Sequence, residues 1–268
     1  MKLSFTSKIA LGVISLFILD LFNIFFSGMD SNLNMFIFVL ISNLLTALLL
    51  GYYIHRSTLT GKRLMLALFF IYFLIGHFNI LIEAYVFNVT DRVQTLSQII
   101  QGFVHSLIIA PLFVTIFGKW KLEEKQIIFE KRSVWSWVWR TLVGTILYLF
   151  FYLLAGFILQ AVYPELHEFY AGKIPPFDVM ISTQFIRAPI FILVTVIIIR
   201  TLDQNNLSKA IYTGLFFAIL GGIAPLIIPN ELMPEYIRYA HLFEVGFSNF
   251  LFGFILTCLF KQKLINPI

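Results

Sequence analysis

Long apolar runs alternate with short polar segments along the whole chain. A hydrocarbon layer about 30 Å thick is crossed by roughly 20 apolar residues in a helix, which also satisfies every backbone polar group inside the layer. The pattern therefore predicts eight membrane-spanning helices, at residues 8–27, 33–54, 64–87, 96–117, 138–163, 179–200, 209–228 and 236–260. We expect an all-α, polytopic transmembrane helical bundle that forms a single integral membrane domain over residues 1–268.

The first apolar run has some features of a cleaved signal peptide. Lys2 and Lys8 precede the run, as basic residues do in a signal peptide. The run is, however, about 18 residues or longer, contains Asp20 and lacks a convincing small-x-small cleavage site. We therefore interpret it as a retained first span.

The composition supports a membrane protein and excludes several other classes. Hydrophobic residues make up 59% of the chain and charged residues only 12%, whereas about 25% charged is usual in soluble domains. The net charge is +5, but Lys and Arg fall in short loops and not on one basic face, so we expect the lipid bilayer as partner and no nucleic acid. Cys258 is the only cysteine, which excludes an internal disulfide and a Cys-rich zinc site.

Lys and Arg are distributed unevenly between the two sides of the predicted bundle. One side has 14 of them and the other only 3, with Arg140 and Arg187 inside spans to complete the 19. The excess alternates loop by loop without exception, and cytoplasmic loops are the ones that carry it. We therefore predict a cell-membrane, multi-pass protein with both termini in the cytoplasm.

Three stretches depart from a plain helix-and-loop pattern. Residues 119–132 mix charged with apolar side chains and predict either a short amphipathic helix at the interface or a solvated connector. Residues 164–176 are long enough for a lid over an outward-opening site, although we favour a plain connector. The seventh run contains Gly214, Gly221, Gly222 and Pro225, which predicts a bent or closely packed outer half.

Polar side chains recur at one depth of the predicted bundle. Counted at about 1.5 Å per residue from the outer end of each run, they form a layer about 6 to 15 Å below the outer surface. The inner half has few such groups beyond Asn43. Facing stripes of these residues would form an outward-facing intramembrane polar site. The members are Asp20, Asn23, His77, Asn79, Glu83, Gln98, Gln101, His105, Gln184, Arg187, His241 and Glu244.

The last run places four polar groups on one helical face, because they are spaced three, three and four apart: Arg238, His241, Glu244 and Ser248. An ionisable side chain in hydrocarbon costs at least about 2.5 kcal/mol, so such residues persist where they pair or do chemistry. Arg187 cannot lose its proton and needs a carboxylate partner. We expect that partner to be Glu244, with Glu83 as the second choice.

Three chemistries suit a site of this composition. Imidazole and carboxylate groups bind zinc, two histidines hold a noncovalent haem, and Glu with His forms a proton relay. The candidate metal ligands are His77, His105, His241 and Glu244, with Glu83 as an alternative carboxylate. The candidate catalytic residues are Glu83, His105, Arg187, His241 and Glu244, supported by Gln101 and Asn79. The motifs HExxH, GxSxG and CxxCH do not occur.

The order of these groups resembles that of CAAX-type intramembrane glutamate proteases, with Glu83 on one helix, His105 on the next and His241 on a late helix. Members of that family carry paired glutamates with a following arginine, and a late histidine with an asparagine four residues on. Here Glu83 is single, and Val245 follows His241 by four residues. The resemblance covers only these few positions, and we assign no family from it.

Our preferred interpretation is a hydrolase, metal-dependent or glutamate-activated, that acts on a lipid or a membrane-borne substrate such as a membrane protein. Zinc is the first cofactor hypothesis and haem the second. A proton- or ion-coupled transporter is the alternative, and a structural or scaffold protein is the third. A carrier needs polar groups in both halves of its path, so the one-sided polar layer favours the hydrolase.

The orientation predicts which loops are accessible from outside the cell. A cysteine placed within residues 164–176, in a chain whose Cys258 has been replaced, should react with a membrane-impermeant thiol reagent in intact cells. A cysteine placed within residues 119–132 should react only after permeabilisation. The reverse pattern would overturn the predicted topology.

Overall fold

The computed structural model of the protein describes residues 3–27, 32–88, 91–125, 129–170, 174–229 and 233–262. Within these ranges, eight helical stretches are long and apolar enough to cross a membrane, so the predicted all-α, multi-pass membrane fold is confirmed. The third and seventh spans are each interrupted by a π-helical turn. The elements are α1 (Phe5–Ser27), α2 (Leu33–Arg56), α3 (Gly61–Phe73), π1 (Leu74–Phe78), α4 (Asn79–Val86), α5 (Arg92–Ile116), α6 (Val134–Val162), α7 (Glu165–Tyr170), α8 (Phe177–Thr201), α9 (Asn206–Ala218), π2 (Ile219–Ile223), α10 (Ala224–Ile227) and α11 (Glu235–Phe260).

Polar side chains fix the starts of four helices. The first backbone N–H groups of a helix have no partner inside it, and an Asn, Asp or Ser side chain can accept from them. Asn32 accepts from the N–H of Met35 at 2.9 Å, which starts α2 immediately after the loop. The starts of α5, α6 and α9 are capped in the same way by Asp91, Ser133 and Asn205.

The bundle has two distinct ends. At the end where α2, α5, α8 and α11 finish, which we call the lysine-rich end, loops are tied together by backbone and charge contacts. The N–H of Thr58 donates to the carbonyl of Thr201 at 2.8 Å, and Lys125 pairs with Asp203 at 2.7 Å. In the described part of residues 119–132 the chain has no helix, so the connector alternative holds there, and 126–128 lie outside that part. The opposite end is called the lysine-poor end.

Aromatic side chains from four helices pack against one another in the interior of the bundle. Tyr148 of α6, Phe191 of α8, Phe217 of α9 and Phe252 of α11 contact one another, with ring centroids 4.7 to 6.2 Å apart. These distances are typical of favourable aromatic pairs, each worth about 0.5 to 1.5 kcal/mol beyond its buried area. Arg187 of α8 lies over the Tyr148 ring at 5.7 Å, so the aromatic centre also supports the polar site described below.

Glycines allow α11 to approach the seventh span closely near Thr213 and Gly214. A Cβ added at Gly253 would lie 2.9 Å from the carbonyl oxygen of Thr213 and 3.0 Å from the Cα of Gly214. The amide of Asn249 donates to the carbonyls of Phe217 and Gly221, both at 3.3 Å, and so satisfies backbone acceptors beside π2. Small residues and interhelical amide bonds are the usual means of close packing in membranes.

The two π-helical turns lie beside each other. A Cβ added at Gly221 of π2 would be 3.4 Å from the Ile75 side chain of π1. Such a turn inserts an extra residue into a helix, so it rotates the following side chains relative to those before it. The apolar pattern does not predict π1, which separates Tyr72 from Asn79 and Glu83 and sets the faces on which they lie.

Replacing Gly253 with alanine should destabilise the protein. The added methyl group meets backbone atoms, which cannot move aside as a flexible side chain would, and we expect a loss of about 1 to 3 kcal/mol. Thermal unfolding of purified protein in detergent measures this loss as a lower Tm. The matched control is Gly156→Ala, where an added Cβ meets nothing within 4 Å and the Tm should not fall. Equal Tm values for the two variants would contradict the tight crossing.

Candidate functional site

The most connected polar group is a buried guanidinium. Arg187 of α8 is 8% exposed and donates from Nη1 to a carboxylate oxygen of Glu83 in α4. The same Nη1 donates to Gln184 Oε1 at 3.0 Å, and Nε donates to Asn79 Oδ1 at 3.3 Å. Arg187 therefore pairs with Glu83, the second choice from the sequence, and not with the preferred Glu244. The pair ties the third span to the sixth.

A tyrosine completes this arginine cluster, which comprises Arg187, Glu83, Asn79, Gln184 and Tyr152. The Tyr152 hydroxyl of α6 donates to the other carboxylate oxygen of Glu83 at 2.7 Å. Both oxygens of Glu83 are thus engaged, one by a cation and one by a hydroxyl. Neither oxygen of Glu83 is therefore free to accept a further group without losing one of these contacts. The cluster is better suited to positioning than to proton transfer.

Four helices and π1 assemble a second group, the histidine cluster, which comprises Asp20, Asn43, Tyr72, His77 and His105. Asn43 donates to Asp20 Oδ2 at 2.8 Å, and Asp20 Oδ1 lies 3.8 Å from His105 Nε2. The Tyr72 hydroxyl lies 3.3 Å from His105 Nδ1. His77 is packed against the other imidazole with ring centroids 5.6 Å apart. The cluster therefore contains an acid and two imidazoles in a largely buried setting.

Close packing holds His77 in place. A Cβ added at Gly102 of α5 would lie only 2.5 Å from the Cβ of His77, so the glycine makes room for the histidine. In the described part of the chain, the Nε2 atoms of His77 and His105 are buried without a hydrogen-bond partner. Unpaired buried polar atoms are uncommon, and each calls for an explanation.

The third group is a relay of hydrogen bonds formed by Tyr170, His241 and Glu244. The Tyr170 hydroxyl lies 2.5 Å from His241 Nε2, and His241 Nδ1 lies 3.2 Å from Glu244 Oε2. Burial, followed by the carboxylates of Glu244 and Glu83, raises the pKa of Tyr170 to about 12. The hydroxyl therefore stays protonated at neutral pH and donates to Nε2, which assigns the hydrogen of a neutral imidazole to Nδ1.

Helix α7 brings Tyr170 to this relay. Leu166 of α7 packs with Leu159 of α6 and with Ile237 and Ala240 of α11 in a small apolar cluster at the lysine-poor end. Residues 165–170 are thus a docked helix and not the plain connector that we favour for 164–176 from the sequence, of which 171–173 lie outside the described residues. Because α7 rests on α11, it sets the Tyr170 hydroxyl beside the imidazole of His241. This contact depends on a loop helix and could not be foreseen from depth along the spans.

The predicted metal ligands do not come together. His77 and His105 belong to the histidine cluster, whereas His241 and Glu244 belong to the relay. Among the described residues, no group of three or more His, Cys, Asp or Glu side chains is placed to hold a metal ion. The four predicted zinc ligands, His77, His105, His241 and Glu244, are thus divided between two groups, and a zinc centre shared by them stays a prediction from the sequence. The rings of His77 and His105, the pair considered for haem, pack edge to face with centroids 5.6 Å apart.

The other candidate residues also divide among the groups. Glu83 and Arg187 are in the arginine cluster, His105 is in the histidine cluster, and His241 and Glu244 are in the relay. Asn79 supports Arg187 as expected, but Gln101 is exposed and bonds to Ser97 at 3.4 Å. The candidate catalytic and metal-binding residues chosen from the sequence did not include Tyr72, Tyr152 and Tyr170. They also did not include Asp20, although Asp20 lies in the predicted polar layer. Tyrosine gives little signal in a chain with 11 Tyr and 31 Phe.

No family model, no curated protein and no solved structure matches this chain.

Removing either partner of the Arg187–Glu83 pair should destabilise the protein strongly. Arg187→Met or Glu83→Leu leaves an uncompensated buried charge, at a cost of about 3 to 5 kcal/mol. The double variant should recover part of that loss, which a double-mutant cycle on Tm in detergent measures. The control is Arg187→Met combined with Glu244→Leu, which should recover nothing. Recovery with Glu244 in place of Glu83 would contradict the pairing.

Proposed function

We propose that this integral membrane protein is a hydrolase that acts on a lipid or membrane-borne substrate, with His241 as its general base and acid. The observation that carries the proposal is the relay, in which one imidazole bridges a hydroxyl and a carboxylate. A histidine held in this way can accept a proton on Nε2 while the carboxylate stabilises the resulting imidazolium.

The proposed reaction needs only water as co-reactant. His241 Nε2 takes a proton from water as the water oxygen bonds to a carbonyl carbon or phosphorus of the substrate. The same proton then passes from Nε2 to the leaving oxygen when its bond breaks. Glu244 holds the Nδ1 hydrogen throughout. Since the Tyr170 hydroxyl occupies the Nε2 position, α7 must move so that water can replace it, and this assigns α7 the role of a lid.

The surroundings of the relay favour a substrate dissolved in the membrane. Phe243 and Phe247 of α11 flank Glu244 in sequence and are 72% and 67% exposed, as expected of side chains that face lipid. His241 lies six residues after the start of α11, about 9 Å along the helix. A lipid or a membrane-protein segment can reach that depth without leaving the bilayer.

In the proposed mechanism the arginine cluster holds side chains near the relay in position and takes no part in proton transfer. Arg187 and Tyr152 each bind one oxygen of Glu83 and so hold that side chain in place. Glu83 is near enough to contribute to the raised pKa of Tyr170. In this proposal Arg187 and Glu83 are therefore positioning residues.

A proton-coupled transporter is the second candidate, and the histidine cluster favours it. Asp20 and His105 are 3.8 Å apart on α1 and α5, so a proton can pass between them with a small movement of either helix. The adjoining π1 and π2 turns are sites where a helix can bend.

Hydrolysis can be detected without knowing which bond breaks. Purified protein in vesicles of phosphatidylglycerol and phosphatidylethanolamine, incubated in ¹⁸O-labelled water, should yield lipid fragments that carry the label, measured by mass spectrometry. His241→Gln should slow this release by about 10² to 10⁴-fold, because it removes the general base. His55→Gln is the matched control, since His55 is exposed near the other end of α2.

Unchanged release by the His241 variant would contradict the proposal, as would a wild-type protein that yields no labelled product. In the second case, proton movement into the same vesicles, followed with a pH-sensitive dye, tests the transporter. Loss of that movement in Asp20→Asn would favour transport over hydrolysis.

A further inference from the structure

A cleft lies at the lysine-poor end between the starts of α2 and α11. Its volume is about 410 Å³, and its lining includes Asn32, Asn34 and Phe38 on one side and Pro234, Glu235 and Arg238 on the other. Polar and apolar side chains thus share the wall. A volume in this range is typical of small-ligand sites.

Arg238 is the unusual member of this lining. It is 4% exposed, and its Nε is buried without a hydrogen-bond partner. Its Nη1 donates to the carbonyl of Ile228 at 3.4 Å, and its guanidinium lies 5.4 Å from the Tyr239 ring centroid. Across the described ranges Arg238 forms no ion pair with a carboxylate. A buried guanidinium cannot lose its charge, so its surroundings favour an anion.

The start of α11 adds to this preference. The preceding residue, Pro234, makes no side-chain cap, so the first N–H groups of the 26-residue helix have no such partner. These N–H groups and the helix dipole favour a negative group at the helix start. Glu235 also lines the cleft, and its side chain is exposed and forms no ion pair with Arg238. The same cleft is therefore lined by a buried cation and by the positive end of a helix.

We propose that this cleft binds the phosphate of a lipid headgroup, with Arg238 as its charged anchor. Phe38 offers an apolar surface for the part of the lipid next to the headgroup. Arg238 precedes His241 by three residues, so the two share one face of α11 about one turn apart. The assignment of this cleft as the substrate site of the hydrolase rests on the proposed function. It makes phospholipids the substrate class.

Binding can be measured on the purified full-length protein in detergent with three probes. Dioleoylphosphatidylglycerol carries both the phosphate and the chains, glycerol 1-phosphate only the phosphate, and dioleoylglycerol only the chains. We expect phosphatidylglycerol to bind most tightly in native mass spectrometry. Arg238→Gln should weaken its binding about 10-fold or more, the usual effect of losing a charge-assisted hydrogen bond.

The matched control is Arg92→Gln, since Arg92 lies exposed at the same end of the bundle and lines no part of the cleft. It should leave phosphatidylglycerol binding unchanged. Should Arg238→Gln fail to fold, Asn34→Trp serves in its place, because Asn34 is exposed and a larger ring there would narrow the cleft. Equal binding by wild type and the cleft variants would overturn the proposal, as would dioleoylglycerol binding as tightly as phosphatidylglycerol.

Two further outcomes have definite meanings. If glycerol 1-phosphate binds as tightly as the lipid, the site takes a soluble anion and the lipid assignment is wrong. His241→Gln should retain phosphatidylglycerol binding, because His241 is assigned to the reaction and not to the anchor. If Arg238→Gln loses binding while His241→Gln keeps full ¹⁸O release, the lipid site stands and the proposed function of the relay fails.

Discussion

The ion pair between Arg187 and Glu83 is the constraint on which the polar interior depends. A guanidinium cannot become neutral in hydrocarbon, so the bundle has to supply an anion and further acceptors at the depth where α8 places it. Glu83 supplies the charge, and Asn79 and Gln184 supply neutral oxygens. Because those groups come from α4 and from α8 itself, the third and sixth spans are fixed against each other, and Tyr152 adds α6 to the assembly.

The irregular third span makes this arrangement compatible with the histidine cluster. On an uninterrupted helix, Tyr72 and Asn79 are seven residues apart and would lie on nearly the same face. The π1 turn lies between them and rotates Asn79 away from the face of Tyr72. Tyr72 therefore contacts His105, while Asn79 accepts a hydrogen bond from Arg187. Glycines on the neighbouring elements, at 102 and 221, leave room for the widened turn. One span can thereby contribute to two separate polar groups.

The lengths of the apolar runs predicted all eight spans, because whether a helix can cross a bilayer depends on that helix alone. Depth along a span also selected residues that do meet, such as Arg187 with Glu83. Depth favoured Glu244 over Glu83, but rotation about the helix axis determines which carboxylate faces the arginine, and that carboxylate is Glu83. That rotation is altered by π1, which leaves no mark in the apolar pattern. Equal depth did not bring the four predicted zinc ligands together either, since His77 and His105 lie in the histidine cluster and His241 and Glu244 in the relay.

The positions of the three groups relative to the ends of the bundle determine the order in which a bound molecule would meet them. The relay and the cleft of Arg238 both lie on the first turns of α11, whereas the histidine cluster reaches Asn43, ten residues into α2 from the same end. A molecule held at the cleft would therefore meet His241 before any group of the histidine cluster. Its polar part would stay near the lysine-poor surface, with the apolar faces of Phe243 and Phe247 turned to lipid alongside. An amphipathic molecule matches this order of charge, imidazole and apolar surface better than a small ion does, because an ion needs no apolar wall and would need a polar path to the lysine-rich end.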